Sequence, residues 1–384
     1  MRSRWTRALD RSPRILYLSS PIGLGHARRD RAIARSLREL RPDVRVEWLA
    51  QAPVTTFLAG ADEFVHPASI HLSSESAHLQ SEAHEHDLNA FQAIRRMDEI
   101  LVANFSIFQD IVEEGDYDIV IGDEAWDVDH LWHENPELKR SAFVWMTDFV
   151  GWLPAPNANA LELPLTTDYN AEMLEHVVRF RRLRDRSIFI GDPEDIVPLD
   201  FGPGLPRISD WTREHFEFSG CVSGFEPPEH HAAREHLGYP DDVPIVVVTV
   251  VIVGGSGVGH ALLEKIVGAF PEMRREISDL RLLVVAGPRI DPESLPTHKG
   301  IEIVGYLNNL PLHLAACDAA IVQGGLTTTM ELVACRRPFL YFPLGRTSNS
   351  SFACGIGSTV MARESAWTSP TAPRSRSRVR SCFR

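Results

Sequence analysis

Lysine is almost missing from this chain. Only Lys139, Lys265 and Lys299 stand among 39 basic residues, and arginine supplies the rest. That skew reads as coding bias rather than as a binding surface. Positive charge is also short overall, with 39 basic against 52 acidic residues and a net charge of −13. A protein that grips nucleic acid needs the opposite balance, so nucleic acid is excluded as its main partner. Cysteine is scarce: Cys221, Cys317, Cys335, Cys354 and Cys382 are odd in number and form no C-x-x-C pair. They read as reduced core or tail residues of a cytoplasmic protein. Long apolar runs are missing too. The longest, residues 245–253 with one threonine, is far too short to span a bilayer. The arginine-rich residues 1–14 have no apolar stretch behind them, so no signal peptide is expected. Peripheral membrane contact stays compatible with all of this.

What is present describes a globular protein: 44% hydrophobic and 24% charged residues over 384 positions. That length suits two domains, each with its own core. The most informative stretch is residues 304–344. It runs Val304-Gly305-Tyr306-Leu307, an apolar helix around Leu312, Leu314, Ala315 and Ala316, then a buried strand of Ala319, Ala320, Ile321 and Val322. Gln323-Gly324-Gly325-Leu326-Thr327-Thr328-Thr329-Met330-Glu331 follows, and the stretch closes on an apolar run from Pro338 to Pro343. The pattern is strand, glycine turn, helix start, strand. Two glycines let the backbone turn tightly and approach a ligand. The threonines fall on the first helical turn, whose free N–H groups suit phosphate oxygens. Glu331, four residues past Thr327, shares its face and can accept hydrogen bonds from two ribose hydroxyls. An ordinary strand–turn–helix connection with a threonine cap would read the same way.

This block resembles the nucleotide-sugar signature of GT-B glycosyltransferases, above all the family 28 type of C-terminal domain. The resemblance implies that Gly305 to Leu310, with Tyr306 and Leu307, meets the base, that Gly324, Gly325, Leu326, Thr327 and Thr328 hold the diphosphate, and that Glu331 takes the ribose. Gln323 stands where some relatives carry a cation or histidine.

Earlier in the chain, the strand Ile15 to Ser20 leads into Pro21-Ile22-Gly23-Leu24-Gly25-His26 and a helix with Ile33, Ala34, Leu37 and Leu40 on one face. A glycine turn between strand and helix opens a Rossmann-like domain, although the G-x-G-H spacing is not that of a dinucleotide site. His26 either caps and packs at the helix start or works at the carboxyl end of the sheet. In the resembled family the first glycine loop, here with Gly25, carries a histidine that activates the acceptor hydroxyl. An acidic residue often orients it: Asp123, at the end of the strand 117–124, is the first choice, Asp148 the rival, and a helix cap the plain alternative. His66, His71, His78, His84 and His86 sit among Ser and Glu at spacings that fit no metal-ligand pattern, so a polar, mobile acceptor-side loop is expected there. Helices are expected over 88–114 and 171–184, with a loop over 152–164. Pro193, Pro198, Pro203 and Pro206 with Gly202 and Gly204 mark the interdomain stretch.

A second phosphate-type turn, Gly254-Gly255-Ser256-Gly257, follows the buried strand 244–253 and resembles the Gly-Gly-Ser loop of the same family. After Leu344 the character changes. Residues 345–384 hold seven arginines against one acid, Glu364, and lose apolar periodicity, which reads as disorder. Read in a neighbouring frame, residues 347–352 yield a His-Phe-Glu-Gln-Gln-like string, so a reading-frame shift near residue 345 is expected.

The expectation is therefore an α/β protein of GT-B type: two Rossmann-like domains facing across a cleft, the second incomplete at its end. Residues 1–205 form the acceptor domain, 206–217 a linker, 218–344 the donor domain and 345–384 a disordered or frame-shifted tail. The implied activity is inverting transfer from a nucleotide sugar, UDP-linked, to a small-molecule or lipid-linked hydroxyl acceptor. No metal or other cofactor is expected. The alternatives are a non-catalytic nucleotide-sugar binder or truncated relative, and a nucleotide-sugar 2-epimerase.

Overall fold

The computed structural model describes residues 11–82, 89–154, 160–220, 222, 224–249, 259–287, 290–307, 309–323 and 325–342. Two parallel sheets organise these residues. The first contains β1 (Arg14–Leu18), β2 (Arg45–Leu49), β3 (Ile119–Asp123), β4 (Ala142–Thr147), β5 (Arg186–Phe189) and β6 (Glu217–Phe218), in the order β2-β1-β3-β4-β5-β6. The second contains β7 (Ile245–Thr249), β8 (Arg281–Val285), β9 (Ile301–Val304), β10 (Ala319–Val322) and β11 (Phe339–Tyr341), in the order β11-β10-β7-β8-β9.

Alternation along the strands explains why both sheets are covered on both faces. In β1, Leu16 and Leu18 enter one core with Val120, Phe143 and Trp145, while Ile15 and Tyr17 enter another with Val46, Trp48 and Ile121. In the second sheet Val246, Val248, Leu282 and Val284 face one way; Val247, Leu283 and Val285 face the other. A strand buried on both sides reads as a near-continuous apolar run, as Ile245–Thr249 does up to its final threonine.

The helices that matter for the site are α1 (Leu24–Leu40), α2 (Glu75–Glu82), α3 (Ala90–Arg95), α4 (Asp98–Gly115), α5 (Trp126–Glu134), α6 (Glu162–Arg179), α7 (Ile208–His215), α8 (His230–Leu237), α9 (His260–Glu276), α10 (Leu310–Ala316) and α11 (Leu326–Ala334). Three expectations are corrected here. The single helix over 88–114 is two, because the backbone leaves helical geometry at Met97 (φ −99, ψ 3) and restarts with Asp98 and Glu99 at the favourable positive end of the dipole. The helix expected at 171–184 starts at Glu162, with Pro164 in the first turn where no amide donor is required. The linker at 206–217 is part of the first lobe. Trp211 of α7 packs edge-on to Phe201 at 5.5 Å, and β6 pairs with β5 through Ile188–Glu217 and Phe189–Phe218.

The histidine-rich loop is also more ordered than expected as far as Glu82: a short 3-10 turn, Pro67–His71, is capped by His66, and α2 follows. His84 and His86 lie outside the described residues, as do Cys221, Cys354, Cys382 and residues 345–384. Cys317 and Cys335 are free thiols. No described helix is long and apolar enough to cross a membrane.

Strand order fixes where a ligand can bind. In the first sheet the winding reverses between β1 and β3, and in the second between β7 and β10. Crevices open at such reversals, beyond the carboxyl ends of the strands. The loop after β1 and the end of β3 flank one; the carboxyl ends of β7 and β10 flank the other.

Candidate active site between the lobes

His26 lies in the first turn of α1, directly after β1, and its amide donates to Gly23 O at 3.0 Å. Its Nδ1 is 2.7 Å from Asp123 Oδ2 at the end of β3. Its Nε2 lies 4.0 Å from Glu124 Oε2. Arg29, one turn further along α1 and 2% exposed, donates from Nη2 to Asp123 Oδ1 and Oδ2 (2.7 and 2.8 Å) and from Nη1 to Asp148 Oδ2 (3.0 Å). Imidazole and guanidinium therefore converge on Asp123 Oδ2, which explains their own 2.8 Å approach. Asp123 accepts the Nδ1–H, leaving Nε2 to face the cleft. Asp123 is thus the carboxylate that touches the histidine, whereas Asp148 holds the arginine. Asp30, fully buried, accepts from Tyr17 Oη (3.1 Å) and Ser19 Oγ (2.6 Å) and completes the cluster.

Electrostatics follow from this packing. Burial is the largest influence on His26 and opposes its charge, but the Asp123 carboxylate, Glu124 and the hydrogen bond to Asp123 together outweigh burial and the repulsion of Arg29, raising the imidazole to about 9. Burial would raise Asp123; Arg29 and His26 together hold it well below the ordinary carboxylate range. Glu124 goes the other way: burial, then the nearby Asp148, push it up to about 8. His26, Glu124 and Asp148 bring ligand atoms within 4.8 Å of one another, but Arg29 already supplies a buried positive charge to Asp148 there. By linkage, the raised His26 contributes stability fully present below 6.5 and lost as pH rises through about 9.

A small recess opens beside Asp123 and Glu124, lined by Ser19, Ser20, Gln51, Glu75, Asn104 and Asp127 among others. Burial raises Glu75 to about 7, and Gln51 Nε2 donates to it at 2.5 Å.

On the opposing lobe, Gly325 is the N-cap of α11, with Leu326, Thr327 and Thr328 in the first turn. Among the described residues no side chain caps this end, so its amide groups are left unsatisfied by the helix. Thr327 meets Gly25: a Cβ on Gly25 would stand 2.7 Å from Thr327 Oγ1 and 2.9 Å from its Cβ. The first turns of α1 and α11 therefore meet at Gly25 and Thr327. Gly25→Ala is accordingly expected to push the lobes apart and weaken nucleotide binding about tenfold, the scale of overpacking by 1–3 kcal/mol. Pairing it with Thr327→Gly should restore affinity, as titration calorimetry would show.

Glu331 differs from expectation. It is buried in α11 and Oε1 pairs with Arg28 Nη2 from α1 rather than standing open. Burial raises it to about 7 despite Arg28, and its buried Oε2 has no partner among the described residues. Tyr306 is 41% exposed after β9, and Leu307 packs partly into the second core. Gly254, Gly255, Ser256, Gly257 and Gly324 lie outside the described residues.

Sequence reasoning gave no role to Arg28, Arg29 or Glu124. Arg29 follows His26 by three positions on one helix face, which was a readable signal. Glu124 takes φ +52, a geometry that its residue type does not announce.

Residues 249–352 match the family model of the glycosyltransferase family 28 C-terminal domain. The match continues past Leu344, where the change of character was expected. The UDP-N-acetylglucosamine--N-acetylmuramyl-(pentapeptide) pyrophosphoryl-undecaprenol N-acetylglucosamine transferase of Nocardia farcinica is 35% identical over 115 residues, 29% of this chain and 29% of the relative. The enzyme of that name from Rhodococcus opacus is 32% identical over 114 residues, 29% of this chain and 28% of its own length. The chain thus matches less than a third of these relatives. Among solved structures, the glycotransferase of kitacinnamycin superposes with a TM-score of 0.52 at 16% identity, covering 89% of this chain and 83% of that one. UDP-glucose: anthocyanidin 3-O-glucosyltransferase in complex with UDP gives 0.51 at 13%, covering 89% and 82%. The frame is the GT-B fold.

Proposed function

We propose that this chain, a GT-B frame with a family 28 donor lobe, is a glycosyltransferase that moves a sugar with inversion from a UDP-linked donor to a hydroxyl acceptor. The observation that carries the reading is the His26–Asp123 pair at the first switch point, set against the uncapped N-terminus of α11 through the Gly25–Thr327 contact. His26 Nε2 accepts the acceptor's proton as its oxygen attacks the anomeric carbon. The bond to the diphosphate breaks on the opposite face, and the departing charge falls on the amides and dipole at the N-terminus of α11. Asp123 fixes the tautomer and steadies the imidazolium; Arg29 positions Asp123. Glu331 takes the ribose through Oε2 while Oε1 stays on Arg28. Backbone amides and the helix dipole at α11 balance the diphosphate, so no metal is required for transfer.

The acceptor, a small molecule or a lipid-linked one, sits in the recess between Gln51 and Asp127, where hydroxyls find carboxyl and amide partners. The acidic balance of the chain supports an acceptor other than nucleic acid, and the reaction belongs to the cytoplasm.

The test is incubation with a panel of UDP-sugars. Transfer or slow hydrolysis, absent in His26→Ala, supports the assignment. UDP binding without turnover points to a binder, and sugar interconversion without acceptor points to an epimerase. A pH series adds a second check: kcat/KM is expected to rise with pH through an apparent value between about 8 and about 9, as the Glu124–His26 pair loses its proton. A rate already flat from pH 6 upward contradicts it.

A further inference from the structure

A second cluster lies away from the cleft. Helices α5 and α6 each carry a histidine and a glutamate four residues apart, His130 with Glu134 and Glu172 with His176. Residues at this spacing share one helical face. The two faces meet: His176 Nε2 stands 2.8 Å from Glu134 Oε1, and the ligand atoms of Glu134, Glu172 and His176 all lie within 4.8 Å of one another. His130 is close at hand, its ring centre 5.6 Å from that of His176.

His176 is held in place. Its side chain is only 12% exposed and stacks on His133 at 5.3 Å with the rings 8° from parallel. His133 Nδ1 donates to Asp129 O at 2.7 Å, so its Nε2 carries a lone pair, and that atom is buried without a partner among the described residues. Two carboxylates, one preoriented imidazole and a second within reach make a set of donors with a surplus of lone pairs. Among the described residues no lysine or arginine is ion-paired with Glu134 or Glu172.

We propose that His176, Glu134 and Glu172, with His130 as fourth ligand, bind one divalent ion of the zinc class and staple α5 to α6. Mixed imidazole and carboxylate donors suit Zn²⁺, Co²⁺ or Ni²⁺ rather than Mg²⁺ or Ca²⁺, which favour oxygen-only shells. The site is structural. Both helices run back from the carboxyl edge of the first sheet, so their C-terminal turns lie at its far end, remote from His26.

The test uses untagged full-length chain stripped with EDTA. Titration calorimetry with ZnCl₂ is expected to give one site per chain, and saturating Zn²⁺ to raise Tm by about 5 °C. His176→Gln should weaken binding at least about tenfold, the usual cost of a lost ligand contact. Glu172→Gln, on an exposed position that the fold does not need, should also weaken it, so misfolding of the first variant leaves the proposal testable. His26→Ala should bind Zn²⁺ as well as the parent. Absence of binding, binding untouched by both cluster variants, or binding lost in His26→Ala overturns the proposal. Transfer activity is not the readout, so the outcome is independent of the catalytic reading.

Discussion

Replacing His26 with alanine is expected to lower kcat for sugar transfer by about 10²–10⁴-fold, the range for loss of a general base, with UDP affinity nearly unchanged. The prediction is specific because the histidine is not what holds its surroundings together. Asp123 keeps both hydrogen bonds from Arg29 Nη2, and Asp148 keeps Nη1, when the imidazole is removed. The base is lost and the scaffold stays. Product analysis by chromatography, with UDP titration on the same preparation, separates the two effects. A fall in UDP affinity equal to the fall in rate would place His26 in the donor site instead.

Arg29→Met is expected to be the most destabilising change at the site, by about 3–5 kcal/mol, because it strips the partner from buried charges. Asp123 and Asp148 are 0% and 8% exposed and both bind this guanidinium. Without it two carboxylates remain in a dry crevice, facing a histidine and the raised Glu124, and some must take up protons. Urea denaturation at neutral pH reads the loss. Arg35→Met on the same helix is the control: its side chain is 63% exposed and reaches only Glu39 at 3.9 Å, so a change of about 0.5 kcal/mol or less is expected. Equal losses in the two variants would mean that the Arg29 network is no more than a solvated surface pair.

The strands were the legible part of the fold. Ala319–Val322 is apolar between clear turn signals, and the helix after Gly325 begins where its threonines said it would. The misread parts share a physical cause. Gly202, Gly204 and Pro206 look like a linker in composition, but only the packing of Trp211 against Phe201 shows the chain is still inside the first lobe. The break at Met97 carries no proline or glycine, so nothing local announces it. At the site, His26 and Asp123 were found through the resemblance of their loops. Arg29 was not: its three-residue spacing from His26 is a signal, but as the second of four consecutive charged residues, Arg28 to Arg31, it reads as solvated surface until its partners arrive from β3 and the loop after β4. The pairing of Glu331 with Arg28 joins residues 303 positions apart, and sequence alone carries no trace of it.

A crystal structure with UDP bound would show where the nucleotide sits. Diphosphate oxygens are expected at the amides of Leu326, Thr327 and Thr328, the ribose beside Glu331, and His26 Nε2 across the cleft with room for one acceptor hydroxyl between. Diphosphate density on any other surface, or a nucleotide seated at the α11 terminus with His26 turned away from it, would contradict that placement.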